Sequence, residues 1–417
     1  MSLQQAPLEF FGHQYLRQIL VLSILSHRQV IVKNIRSQEQ NPGLTEFELN
    51  LLKLLEKVTN GCQVNINKTG TRLIFRPGMI DCNEGMPIEH DCHLARNLTY
   101  YLEVVVPIVI FGKTTMHLTL TGNTDDNIDQ SIDSFKNTWV HLIKQFGVPD
   151  GSLDIQVKKR GYSPLGGGLV KVTQRYAKKL ESVSMIDEGK IKRIRGLLTS
   201  AKVSPQLTTR VVDKLREVFN DYIPDVWIHT DHFKKDQAGE QPGYAISLVA
   251  ETTTGLIFTK DFNYNSKDFK MPEDLGQKAA LALLDEIFNG GAVDSSNQCF
   301  ALLLMSLSAS DNISSLKIGR VTEQSIAMLR HIKQFFNVQF KITECDDDVY
   351  SDSSDEEDEE NKQMSNEDDV SEQNGDDSDA SKEERRRQKL KELPQFPKAF
   401  IFSCIGVGLT NISRKTE

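Results

Sequence analysis

The chain has 417 residues, 39% of them hydrophobic, and a formal net charge of −9. No apolar run is long enough to span a bilayer, and six cysteines in this length do not make a disulfide scaffold. These features exclude a membrane protein and a cross-linked secreted module, and they predict a soluble, intracellular chain of more than one domain. The charge is unevenly spread: residues 346–380 hold 17 Asp or Glu and one Lys, a net of −16, so the other 382 residues carry +7. A basic body is compatible with RNA or another polyanion.

In chain order, residues 13–27 are amphipathic and apolar enough for a helix, and 29–36 read as a short strand. Thr45-Glu-Phe-Glu48 then has the form of a capping box, with Leu51, Leu54, Leu55 and Val58 at helical spacing and Gly61 as a stop. CQVNIN (62–67), a turn at Lys68-Thr69-Gly70 and TRLIFRPG (71–78) form a β-hairpin. The unit is helix, strand, helix, strand, strand. It recurs as 92–106, 115–121, 131–146, 152–158 and a strand from 169, and again as 294–307, 314–318, 321–336, 338–342 and 399–405.

Residues 186–291 do not fit the repeat. They offer strands at 190–196, 225–229, 244–250 and 255–262 and helices at 206–222 and 275–288. The expected fold is therefore α/β (α+β), with three two-helix, small-sheet units and an inserted small α+β domain. Its divisions are 1–185 (repeats one and two), 186–291 (the inserted domain) and 292–417 (repeat three). Cys82, His90, Cys92 and His93 lie close together, but their spacing fits no paired-ligand pattern, and no metal is expected.

The acidic segment falls where repeat three has its hairpin turn. Its composition cannot support a core, which predicts a disordered insertion over 346–394. Ser351, Ser353 and Ser354, in YSDSSDEEDEE, are candidates for an acid-directed kinase or a solvated spacer. RGYSPLGGG (160–168) occupies the corresponding turn of repeat two. Gly166, Gly167 and Gly168 permit positive φ and close backbone approach, which serves a hairpin turn or a phosphate cradle alike.

The stretches HQYLRQILVLSIL, IRSQEQNPGL, TGTRLIFRPG, RGYSPLGGG and NGGAVDSSNQ resemble the RNA 3′-terminal phosphate cyclase family. TEFELNLLKLLEKVTNG, ARNLTYYLE and LTGNTDDNIDQSIDSFK are closer to its eukaryotic cyclase-like branch of ribosome-biogenesis factors. The resemblance covers the chain apart from the acidic insertion. It implies a body of three repeats with an inserted domain, and a histidine that takes AMP from ATP in the true cyclases. The matching stretch here is Gly319-Arg320-Val321-Thr322-Glu323, with Gly319 at the histidine position and Glu323 at an asparagine position. Phe10-Phe11-Gly12-His13-Gln14 lacks the family's acidic residue, and Glu39 replaces a phosphate-binding arginine, although Arg36 persists.

The resemblance therefore implies a non-catalytic factor for pre-18S rRNA processing and 40S assembly in the nucleolus, with no cofactor. A large nucleolar GTPase is its implied partner, within an early pre-ribosomal particle beside a small nucleolar ribonucleoprotein. Arg36, Arg160, the three glycines and Arg320 remain candidates for holding an anion or RNA. An endoribonuclease acting on a pre-rRNA spacer is the alternative, and Arg330, His331 and Lys333 would then supply a general base and cations. The plainer reading puts those three on a solvated helix face opposite Ile326, Leu329, Ile332 and Phe336, and is the one expected. A residual cyclase lacks its nucleophile.

Overall fold

Residues 6–345 and 398–410 are described by the structure, a computed structural model. Repeat one runs β1 (Leu8–Phe11), α1 (Leu16–Ser26), β2 (Val30–Lys33), α2 (Glu46–Val58), the short β3 (Thr59–Asn60), β4 (Gln63–Ile66), β5 (Leu73–Arg76) and β6 (Met79–Ile80). Repeat two runs β7 (Ile88–Asp91), α3 (Leu98–Val109), β8 (Met116–Gly122), α4 (Ile132–Gln145), β9 (Leu153–Lys159) and β10 (Gly168–Gln174). Repeat three opens with β11 (Ser184–Met185). The inserted unit follows as β12 (Ile191–Ala201), α5 (Pro205–Phe219), β13 (Val226–Phe233), β14 (Gly243–Thr252), β15 (Ile257–Asn263) and α6 (Pro272–Asn289). Repeat three resumes with α7 (Gln298–Leu307), β16 (Ile313–Ile318), α8 (Glu323–Phe336), β17 (Lys341–Glu344) and β18 (Phe400–Ile405).

The three repeats share one sheet topology, with orders β1-β2-β5-β4, β7-β8-β10-β9 and β11-β16-β18-β17. In each, the first strand pairs parallel with the second and the remaining pairs are antiparallel. This corrects the sequence reading, which lacked a leading strand. Those strands are two to four residues long, too short to establish a period of two. The correction also moves the insertion. It interrupts repeat three after β11, so residues 184–185 belong to repeat three and the insertion does not lie between repeats.

The first helices, α1, α3 and α7, are apolar on nearly all sides, and such helices belong inside a core. Among the described residues of α3 and α7, all but Glu103 and Cys299 are buried. The second helices are amphipathic and cover this centre from outside; α2, for example, buries Leu51, Leu52, Leu54, Leu55 and Val58. The predicted capping reaches its target, since the Thr45 amide donates to Glu48 Oε2 at 2.8 Å. Helix α3 begins later than position 92 because 92–97 is spent on the turn. There the Cys92 amide donates to the Thr121 carbonyl and the Leu98 amide to that of Asn123.

The inserted sheet has the order β13-β12-β14-β15. Helices α5 and α6 enclose a separate apolar cluster on it that includes Ile194, Leu198, Leu215, Phe219, Leu248 and Leu283. Its other face meets α4 through small polar groups: Ser134 with Ser247 at 2.7 Å, and Thr138 with Thr259 at 3.2 Å. The acidic segment lies between β17 and β18, the hairpin position predicted for it. Its expected disorder, and Ser351, Ser353 and Ser354, fall outside the described residues.

Candidate functional site

RGYSPLGGG forms the hairpin turn between β9 and β10. Gly166 and Gly167 take positive φ (63° and 81°), as a tight reversal requires. The Gly166 amide donates to the Tyr162 carbonyl at 2.9 Å, and Gly168 opens the strand ladder. The inserted unit packs against one side of the loop, while Pro164, Leu165 and Gly167 stay exposed. The Gly239 amide donates to the Arg160 carbonyl, and a Cβ on Gly239 would lie 2.1 Å from the Gly166 carbonyl oxygen. The glycines let backbone approach backbone in this turn.

Arg160 is 2% exposed, and this corrects its reading as an anion ligand. Its guanidinium grips Asp133 through two bonds of 2.6 and 3.2 Å, reaches Asp125 at 3.3 Å and lies over the Phe233 ring. Burial alone would lower its pKa, but Asp133 and Asp125 outweigh that and hold it charged. Arg36 is committed in the same way, to both oxygens of the buried Glu48 at 2.7 and 2.9 Å and to the Gly43 carbonyl. Arg320 is exposed, and its carbonyl accepts from Gln298 at 2.8 Å.

Arg330, His331 and Lys333 do not converge. Arg330 and Lys333 are exposed, whereas the His331 ring packs edge-on against Phe10 and Tyr15. Gln18 donates its amide nitrogen to the Gln324 carbonyl, so its oxygen accepts from His331 Nδ1 at 3.1 Å. The expected solvated face is thus corrected at His331, and the apolar face too. Ala327, Met328, Ile332 and Phe335 are buried, while Ile326 is 41% exposed. Burial and Arg330 lower the His331 pKa to about 4. A lowered histidine pKa means that the unfolded chain binds more protons between about 6.5 and 4, so stability falls as pH drops through that window. His331→Phe should remove this dependence. Its melting-temperature deficit against the parent at pH 7 should narrow by pH 5.

His90 and His93 have partners outside their cysteine cluster, Asn50 and Glu46, each at 2.9 Å. Cys82 and Cys92 are buried, and burial pushes both thiols up, that of Cys82 to about 12.

The histidine position of the cyclase motif is closed by backbone. A Cβ on Gly319 would lie 1.9 Å from the Asn289 carbonyl oxygen and 2.6 Å from that of Gly290. The stretch NGGAVDSSNQ causes this: Gly290 and Gly291 adopt positive φ, and the chain crosses directly beneath position 319. Asp294, in the same stretch, is fully buried and ties repeat three to the inserted sheet through the amide and hydroxyl of Thr259.

Sequence reasoning missed a cavity of about 600 Å³ lined by α1, α3, α7, α8, the 126–130 loop and the inserted unit. Arg17 enters it from α1, pairs with Glu103 and lies 4.5 Å above the Tyr100 ring. Arg96 covers the same ring at 4.3 Å and grips Asp129 with two nitrogens. Asp126 accepts from the amides of Ile128 and Asp129, and Asp261 from that of Ser131. Glu103, Asp126, Asp129, Asp261 and Asp268 face three lining cations, Arg17, Lys260 and Lys278. Burial raises Asp126 to about 6 and Asp261 to about 7. A signal existed: Arg17 and Glu103 are lone charges in long apolar runs, where pairing with an opposite charge offsets the cost of leaving water.

The family model for RNA 3′-terminal phosphate cyclase matches residues 8–342. An RNA 3′-terminal phosphate cyclase-like protein of Bos taurus is 44% identical over 345 residues, covering 82% of this chain and 91% of that protein. A probable cyclase-like protein of Dictyostelium discoideum is 39% identical, with 80% and 93% covered. The rRNA processing protein rcl1 of Schizosaccharomyces pombe is 37% identical, with 81% and 92% covered. By this match and by its three repeated sheets, the chain belongs to the RNA 3′-terminal phosphate cyclase family.

Proposed function

We propose that this chain is an rRNA-processing factor that works without cyclase chemistry. The observation that carries the reading is at position 319, where packed backbone occupies the space a nucleophilic side chain needs. The cavity supports it. Five lining carboxylates against three cations oppose a triphosphate, and a nucleotide site requires the reverse balance. Arg36 and Arg160, the arginines that could have offset this, are bound to Glu48, Asp125 and Asp133.

The role in rRNA processing follows the fission-yeast relative's name, and the small-subunit pathway, nucleolar location and GTPase partner follow the family branch. A fold kept without its chemistry serves as a binding component of a larger particle. Pure protein incubated with labelled ATP and a divalent metal should acquire no label that survives denaturing electrophoresis and is released by acid. Depleting the protein from cells should accumulate unprocessed small-subunit pre-rRNA and reduce 40S subunits. An acid-labile adduct, or normal pre-rRNA after depletion, would overturn the reading.

A further inference from the structure

We propose that the central cavity receives an arginine side chain presented on an extended segment of a partner protein. This rests on the reading that the cavity no longer serves a nucleotide. The molecule itself shows how it holds an arginine, half-buried at Arg17 and Arg96 and fully buried at Arg160: a carboxylate takes the guanidinium edge and an aromatic ring covers its face. Arg96 uses Asp129 and Tyr100, Arg160 uses Asp133 and Phe233, and Arg17 uses Glu103 and Tyr100.

The cavity offers the same elements without a guanidinium between them. Asp126 is only 5% exposed; its Oδ1 takes two amides, and its Oδ2 has no partner among the described residues. Asp261 accepts from the Ser131 amide, and neither carboxylate is ion-paired among the described residues. Tyr15 lines the same space, as do Phe262 and Phe269, whose rings already carry Lys278.

The cations already present are committed. Arg17 is held by Glu103, Lys260 by Glu286 at 2.7 Å, and Lys278 sits over the rings of Phe262 and Phe269 at 5.3 and 5.2 Å. The charge left over is therefore negative, the more so as Asp126 and Asp261 ionise. A guanidinium suits it better than an ammonium, because it binds carboxylates edge-on while its flat face stacks on a ring. The exposed lining residues Ile128 and Asp268 place an aliphatic and an acidic contact where flanking peptide residues would lie.

The test uses the full chain carrying Trp227→Phe, which leaves Trp139, a cavity-lining residue, as the only tryptophan. Acetyl-Gly-Arg-Gly-amide should shift Trp139 emission saturably. The same peptide with citrulline for arginine, uncharged and nearly isosteric, should bind about tenfold more weakly or not at all. Asp126→Asn with Asp261→Asn keeps the amide acceptors and should weaken the arginine peptide by a similar factor. Equal binding of the citrulline peptide, undiminished binding to the double variant, or tighter binding of free spermidine would overturn the proposal. An absent response to the arginine peptide would overturn it too, yet leave the non-cyclase reading standing. ATP displacing the peptide from Trp139 would instead bring down that reading and this one together.

Discussion

Replacing Gly319 with histidine should destabilise the protein and restore no adenylate transfer. The substitution returns the residue that cyclase chemistry requires, but the surrounding backbone leaves no room for it. A Cβ there would sit 1.9 Å from a carbonyl oxygen and 2.8 Å from the carbon bearing it. Both atoms belong to the Asn289 main chain, which cannot rotate away as a flexible side chain would. The 289–291 turn would have to move, and with it the anchorage of Asp294 on Thr259. A loss of about 3 kcal/mol or more is expected, the upper range for overpacking a well-filled site. Urea unfolding would measure it, and labelled ATP would check the chemistry. A Gly319→His protein with an unchanged melting temperature and an acid-labile adduct would show a site merely missing one residue.

Arg160→Ala should cost about 3–5 kcal/mol, because it leaves the buried Asp125 and its neighbour Asp133 without their cation. Asp125 and Asp133 meet only at this guanidinium, and Arg160 is almost wholly buried. The deficit should shrink as pH falls. Stripped of the arginine, the carboxylates would titrate above their ordinary range, and a raised carboxyl pKa favours the folded state at low pH. Arg160→Lys should be intermediate, since an ammonium cannot hold both carboxylates in the guanidinium's planar geometry. Urea midpoints at pH 7 and pH 5 decide the matter. Had Arg160 served as an exposed phosphate ligand, the alanine variant would lose polyanion affinity and keep its midpoint.

Much of the fold was legible in the sequence because periodicity is a local property. Apolar residues at helical spacing marked every helix of the three repeats, and Thr45 with Glu48 marked a helix start to the residue. The repeat order then placed the glycine triplet in a hairpin turn. Leu8–Phe11, Ile88–Asp91 and Ser184–Met185 escaped notice because a strand of two to four residues carries no period of its own. They exist because a neighbouring strand supplies the hydrogen bonds.

By itself, the sequence determined the helices, the hairpins, the segregation of acidic charge into one segment and the absence of histidine at position 319. These depend on residue type and on spacing along the chain. Tertiary structure alone decided which charges meet. Arg36 and Arg160 read equally well as phosphate ligands until Glu48, Asp125 and Asp133 were brought against them from 12 to 35 residues away. It likewise turned His331 inward onto Phe10 and Tyr15, and gathered Arg17, Glu103, Asp126 and Asp261 around one cavity. An ionisable side chain takes its role from the charges within a few ångströms of it and from the water it has lost. Both are set by how distant segments pack.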